Sequence, residues 1–153
     1  MPSTHKPLSA LADYQHWLST IKQRVVSARL RVALAANSEL IALYYEIVAR
    51  IVEREAHAQW GSGFIDAFSK DLRQAFPDIG GFSSKNLRYC RAFFRFYCAP
   101  AIWQQAVAKL AETPWPGVDG ALAEQLGQLP WGHNIHIFTK CGSIEEACFY
   151  IQQ

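Results

Sequence analysis

Apolar side chains at alternating steps of three and four residues constrain this fold most, because that spacing is the period of an α-helix. The first such series is a heptad seam over three repeats: Leu11, Tyr14, Leu18, Ile21, Val25, Ala28 and Val32. Its flanks carry Lys22, Arg24, Arg29 and Arg31 with no acid between them. The seam fits either an intramolecular helical hairpin or a homodimer, and both interpretations stay open here.

A second periodic segment runs to about residue 59. Its bulky apolar residues, between Leu40 and Val52, cover a face so wide that it must be packed from two sides. Asn37 or Ser38 is a suitable N-cap for this helix. Together the two segments predict a long helical hairpin over residues 8–59.

Shorter helices separated by glycine and proline are predicted for the rest of the chain. Residues 61–97 predict a helix-turn-helix-like unit, in which either Ser83 or Ser84 is a suitable N-cap for the second helix. Residues 101–153 predict a group of C-terminal helices, of which the first covers residues 101–111 and the last is capped by Ser143, before an acidic first turn. No segment alternates apolar and polar residues long enough to favour a strand. We therefore expect an all-α, multi-helix fold, with residues 1–7 as a disordered start and residues 8–153 as a single domain.

Length and composition are typical of one folded domain. The 153 residues are 50% hydrophobic and 13% aromatic, which is enough to bury a core.

The last helical pattern is incomplete at Gln153, which predicts a truncated chain. No apolar run approaches the ~18 residues of a membrane span, and the start lacks the apolar block of a signal peptide. These features predict a cytoplasmic protein with no membrane partner.

Neither a metal site nor a catalytic site stands out among the cysteines and histidines. The four cysteines contain no C-x-x-C pair and fit buried thiols. His133 and His136 precede Cys141 at a spacing that matches no common zinc motif. Asn134 lies beside His133, but no nucleophile is indicated in a suitable geometry. We expect no cofactor, no metal and no catalytic residue.

The segment from Ser84 to Tyr97 carries the strongest functional signal. Its helical period collects the basic residues on one side and the apolar residues on the other. A basic helix that follows a helix and a turn is the arrangement with which helix-turn-helix proteins contact phosphates and the major groove. The turn of six residues is longer than that motif's usual ~3 to 4. The candidate contact residues are Ser84, Lys85, Asn86, Arg88, Arg91 and Arg95.

Two considerations bear on this nucleic-acid interpretation. The charge is uneven, since residues 1–98 carry 13 basic and 8 acidic side chains while residues 99–153 carry 2 and 5. The net charge of +2 does not by itself establish a nucleic-acid partner. Alternatively, the arginines pair with acids elsewhere in the chain, such as Glu53 or Glu55, or simply face water.

Several ordered motifs resemble one bacterial family, the N-terminal domain of YhcG-type proteins, over roughly residues 38–152. They are Tyr44-Tyr45-Glu46-Ile47, Trp60-Gly61, Phe76-Pro77, Gly81-Phe82-Ser83, Asn86-Leu87-Arg88-Tyr89-Cys90-Arg91 and Leu129-Pro130-Trp131-Gly132-His133-Asn134. In that family, the resemblance implies, this domain precedes a PD-(D/E)XK nuclease domain. Such a site needs a Glu-x-Lys type pair to hold metal and activate water, and neither Asp78 nor Glu145-Glu146-Ala147 is followed by one.

The expectation from the sequence is therefore a non-catalytic DNA-binding or targeting module, related to a nuclease domain or a partner nuclease. The alternative is a protein-interaction or homodimerisation domain that uses the heptad seam.

Overall fold

The computed structural model describes residues 11–57 and 63–153, and within them the secondary structure is entirely helical. The helices are α1 (Ala12–His57), α2 (Phe64–Ala75), α3 (Ser84–Tyr97), a 3-10 helix (Pro100–Gln105), α4 (Ala106–Lys109), α5 (Gly120–Gln128), α6 (Trp131–Lys140) and α7 (Ile144–Ile151). The all-α prediction is confirmed. The predicted disordered start at 1–7 and the Trp60-Gly61 motif lie outside the described residues.

Helix α1 is continuous, so the predicted helical hairpin over residues 8–59 is wrong. Neither glycine nor proline occurs between Ala12 and His57, and the chain therefore lacks the residues that most readily end a helix. Asn37 does not act as a cap. Its side-chain amide donates instead to the carbonyls of Gly127 and Leu129, at 2.8 and 2.7 Å. A polar residue that resembles a cap in sequence thus sits inside a helix because distant carbonyls accept its hydrogen bonds.

The chain divides into two compact units, residues 1–36 and 37–153. This division differs from the single domain expected over residues 8–153. In the first unit, the described residues belong to the N-terminal part of α1, and most of their side chains are exposed. The second unit contains the hydrophobic core, whose first buried residue along the chain is Ile41.

The core of the second unit is built largely from aromatic side chains of α1 and α3. Tyr45 is fully buried, its ring lies 4.8 Å from that of Phe94 between centroids, and its hydroxyl donates to the carbonyl of Pro116. Phe93 is also fully buried. Cys90 lies in the same core, where burial raises the pKa of its thiol to about 12, so that the thiol stays protonated at neutral pH.

The expected unit over residues 61–97 contains two packed helices, α2 and α3, joined by residues 76–83. The hydroxyl of Ser69, which is fully buried, donates to the carbonyl of Phe82 at 2.6 Å and so ties this connection to α2. Of the two candidate caps, Ser83 is the N-cap of α3, since its hydroxyl accepts from the backbone N–H of Asn86 at 3.1 Å.

The C-terminal helices are separated by glycine and proline as the sequence predicts, with one difference in helix type. The helix expected from residue 101 to residue 111 is a 3-10 helix followed by the single turn of α4. Asp119 caps α5 through its carboxylate. Ser143 caps α7 as predicted, because its hydroxyl accepts from the backbone N–H of Glu146.

Within residues 11–57 and 63–153, one helix could cross a membrane by its length and composition alone, namely α1 over Ala12–Glu55. A helix that is buried in a protein core meets the same two criteria, and the C-terminal half of α1 supplies part of the core described above. The finding is therefore weak evidence for a membrane span.

Candidate nucleic-acid interface

Helix α3 has one buried face and one charged face. Leu87, Cys90, Phe93, Phe94 and Tyr97 are buried. Lys85, Arg88, Arg91 and Arg95 follow one another at steps of three and four, and all but the half-buried Arg91 are exposed. The local period of the sequence therefore placed these four cations correctly on one side of the helix.

Arg88 is paired with an acid of the neighbouring helix. Its guanidinium lies 3.1 Å from a carboxylate oxygen of Asp66 in α2. A hydrogen bond from the Ser84 side chain, followed by the bond and charge of Arg88, lowers the pKa of Asp66 below its usual value. Two of the candidate contact residues, Ser84 and Arg88, therefore share one acidic partner.

Arg91 and Arg95 share a second acid, Glu55, near the end of α1. The distances from their guanidinium nitrogens to its carboxylate oxygens are 3.0 Å for Arg91 and 3.4 Å for Arg95. The side chains of Arg91 and Glu55 are each 28% exposed, whereas that of Arg95 is 45% exposed. Pairing with Glu55, one of the alternatives that the sequence left open, is thus what the structure contains.

Aromatic rings accompany two of the cations. The Lys85 ammonium lies 5.9 Å from the centre of the Tyr89 ring, and the Arg95 guanidinium lies 5.8 Å from that of Trp103. Both distances are at the outer limit of cation–π attraction. These contacts leave the cationic groups at the surface.

Asn86 differs from the other candidates because its side chain is committed to the fold. Its amide group donates to the carbonyl of Gly81 at 2.7 Å, and its side-chain oxygen accepts from the Trp131 indole N–H at 2.7 Å. The residue thus joins the connection before α3 to α6. The spacing of hydrogen-bonding residues at the start of α3 could not reveal this role, since Trp131 lies far along the chain.

The charged face of α3 carries four cations, and one acid from α1 and one from α2 lie against it. These six side chains together have a net charge of +2. Ion pairs that are reached by water are weakened by solvent and salt screening. A phosphate can therefore compete for the same guanidinium groups. Chemically, the face suits a polyanion that approaches α3 from solvent.

Asn134, His133 and His136 lie in different environments. Asn134 is fully buried, and its amide donates to the carbonyls of Leu126 and Leu129 at 3.1 and 3.2 Å. Exposed His133 and His136 line a shallow apolar groove with Cys141. Over residues 11–57 and 63–153, no group of three or more acids, histidines and cysteines is arranged to hold a metal ion.

The heptad seam lies on the first unit of the chain. Ile21, Val25 and Val32 are 38%, 51% and 70% exposed, and Leu11 is 39% exposed. Tyr14 and Leu18 are half-buried. Large apolar side chains in the same segment but off the seam are exposed as well, including Val26 and Leu30. The seam is therefore an apolar surface open to solvent.

Comparisons with known proteins identify the family of this chain. The family model described as DUF1016 N-terminal domain matches residues 20–153. A curated relative, "Putative nuclease YhcG" of Escherichia coli (strain K12), is 36% identical over 114 residues, which cover 72% of this chain and 30% of the relative. The chain thus matches less than a third of that protein's length. No solved structure matches. By the extent of the family match, this chain belongs to the DUF1016 N-terminal domain family of YhcG-type proteins.

Proposed function

We propose that this chain is a non-catalytic module that binds DNA through the charged face of α3. The observation that carries the proposal is the row of Lys85, Arg88, Arg91 and Arg95 on a helix whose opposite face is buried. Arg and Lys side chains are common contacts to DNA phosphates, and a helix can present them in or beside the major groove. In YhcG-type proteins such a module would bring the attached or partner nuclease to DNA.

Asn86 is not part of the proposed contact set, because both ends of its amide already have partners in the fold. Ser84 lies beside Asp66 and helps to lower the pKa of that carboxyl group. The proposed contacts are therefore the four cations, and Glu55 and Asp66 compete with phosphate for three of them. A nucleic acid must displace these acids, which favours weak and salt-dependent binding.

Replacing Arg88 and Arg91 together by alanine is expected to weaken binding to a labelled mixed-sequence duplex. The slope of log affinity against log salt should become flatter by about two units, since each lost phosphate contact removes about one. A salt titration by fluorescence anisotropy measures both effects. Lys109→Ala with Lys140→Ala is the matched control, because it removes the same charge from α4 and α6. Equal slopes for the two variants would contradict the proposed site.

Replacing Glu55 by glutamine is expected to have the opposite effect. Because one carboxylate holds both Arg91 and Arg95, its loss frees two guanidinium groups for phosphate. Affinity for the same duplex at low salt should rise by about two- to tenfold, the range that exposed ion pairs allow. Glu46→Gln makes the same charge change at an acid that pairs with Arg50, within α1. If both variants bind alike, Glu55 does not compete with the duplex.

The exposed heptad seam favours a second candidate function, a protein-interaction module. Several large apolar side chains on one helical stripe are costly to expose to water, and burial against another helix would remove that cost. The two functions are compatible, since the seam and the charged face of α3 belong to different units of the chain.

A further inference from the structure

The residues that flank the heptad seam decide what kind of helix can cover it. Leu18, Val25 and Val32 take the a positions of the seam, and Ile21 and Ala28 take the d positions. Between Leu18 and Val32, every e and g position is occupied by a cation. Lys22 and Arg29 take the e positions, and Arg24 and Arg31 take the g positions. All four side chains are exposed. These are the positions that choose the partner in a coiled coil.

A second copy of this chain is a poor partner for this seam. In a parallel pair, e positions face g positions of the other helix, and in an antiparallel pair e faces e and g faces g. Either arrangement would set Lys22, Arg24, Arg29 and Arg31 against one another. The acid present in residues 11–36 is Asp13, which lies at a c position, away from the seam. The expected homodimer therefore meets like-charge repulsion in both orientations.

We propose that the heptad seam binds a helix of a partner protein whose own flanking positions are acidic. The apolar stripe supplies the attraction, and the four flanking cations select for carboxylates. This inference rests on the second candidate function above. Nucleic acid is the less suitable ligand for this surface, since phosphates would leave the apolar stripe in water.

Two synthetic peptides test the choice of partner against the full chain. Both carry residues 11–34 of this sequence, one unchanged and one with glutamate at 22, 24, 29 and 31. We expect the acidic peptide to bind at least about tenfold more tightly than the unchanged peptide at 50 mM salt, and this preference to shrink at 500 mM salt. Isothermal titration calorimetry measures both affinities. Equal binding of the two peptides would overturn the proposal.

A matched pair of variants tests whether the seam itself is used. Val25→Asp places a charge at an a position, whereas Val26→Asp places it at the next residue, outside the seam; both side chains are exposed, at 51% and 67%. Val25→Asp should abolish binding of the acidic peptide, and Val26→Asp should retain most of it. If the two variants bind the peptide alike, the attraction is only electrostatic and the proposal fails.

Sedimentation of the full chain separates this inference from the broader interaction function. At 50 mM salt and micromolar concentration we expect a monomer, because the like charges are then least screened. A stable dimer that Val25→Asp dissociates would keep the interaction function and overturn the choice of an acidic partner. A monomer that binds neither peptide would overturn both. Binding of the DNA duplex through α3 is measured in the separate salt titration of the variant with Arg88→Ala and Arg91→Ala, so failure of either proposal leaves the other testable.

Discussion

Replacing Phe93 by alanine is expected to destabilise the second unit by about 3–5 kcal/mol, the usual cost of emptying a fully buried phenylalanine site. Phe93 has no exposed surface. Its ring centroid lies 4.9 to 5.9 Å from those of Tyr97, Trp115, Trp131 and Phe138. Because these four rings belong to α3, to α6 and to the connection before α5, a cavity at Phe93 weakens several contacts at once. Thermal unfolding should show a drop in Tm of roughly 10–20 °C.

Phe149→Ala is the control for this prediction, because its side chain is 60% exposed and should change the stability by no more than about 0.5 kcal/mol. Phe93→Leu adds an intermediate case. It retains much of the buried volume, so we expect a loss of about 1–2 kcal/mol. If Phe93→Ala and Phe149→Ala lowered the Tm equally, the aromatic cluster around Phe93 would not be the centre of the core.

The sequence predicted those features that depend on local period. The charged face of α3 and the apolar stripe of α1 both follow from steps of three and four residues, although the sequence did not decide whether that stripe is buried. Ser143 as a cap follows from its position before an acidic first turn. Each of these involves residues within one or two helical turns. The geometry of a single helix is enough to place them.

The features that the sequence missed depend on partners far along the chain. Asn37 resembles a cap, yet its partners lie 90 and 92 residues away. Arg88 pairs with Asp66 at a separation of 22 residues, a partner that the sequence did not indicate. Arg91 pairs with Glu55 at a separation of 36 residues, which the sequence left open as one alternative. Acids from two other helices supply the counter-ions, which no periodic pattern reveals.

The motifs that resemble the YhcG-type family are explained mainly by packing. Tyr44 lies against Trp131, with 5.2 Å between ring centroids, and Asn86 accepts the hydrogen bond of the same indole. Asn134 is buried beneath the connection that begins α6. Shared motifs of this kind identify the fold securely, because each residue satisfies a contact of the core. Core contacts say less about the ligand, because a ligand would contact the exposed cations of α3 and not the buried residues of the motifs.

Gly81 occupies a position that tolerates a side chain poorly, and Gly81→Ala is expected to cost about 2–4 kcal/mol. Its φ of +98° is disfavoured for other residues by about 1–2 kcal/mol. In addition, a Cβ there would overlap the Tyr44 hydroxyl, and relieving such an overlap typically costs about 1–3 kcal/mol. The carbonyl of Gly81 also accepts the hydrogen bond of Asn86, so a shift would disturb the start of α3.

The neighbouring Gly80 supplies the control, because a Cβ there would meet no atom within 4 Å. Gly80→Ala should change the free energy of unfolding by less than about 1 kcal/mol. Chemical denaturation measures both variants, and adding Tyr44→Phe to each completes the comparison. Removing the hydroxyl should recover part of the loss in Gly81→Ala but none in Gly80→Ala, which gives a coupling of about 0.5–3 kcal/mol. If Gly81→Ala were as stable as Gly80→Ala, the connection into α3 would not depend on the left-handed backbone at Gly81 or on its close approach to Tyr44.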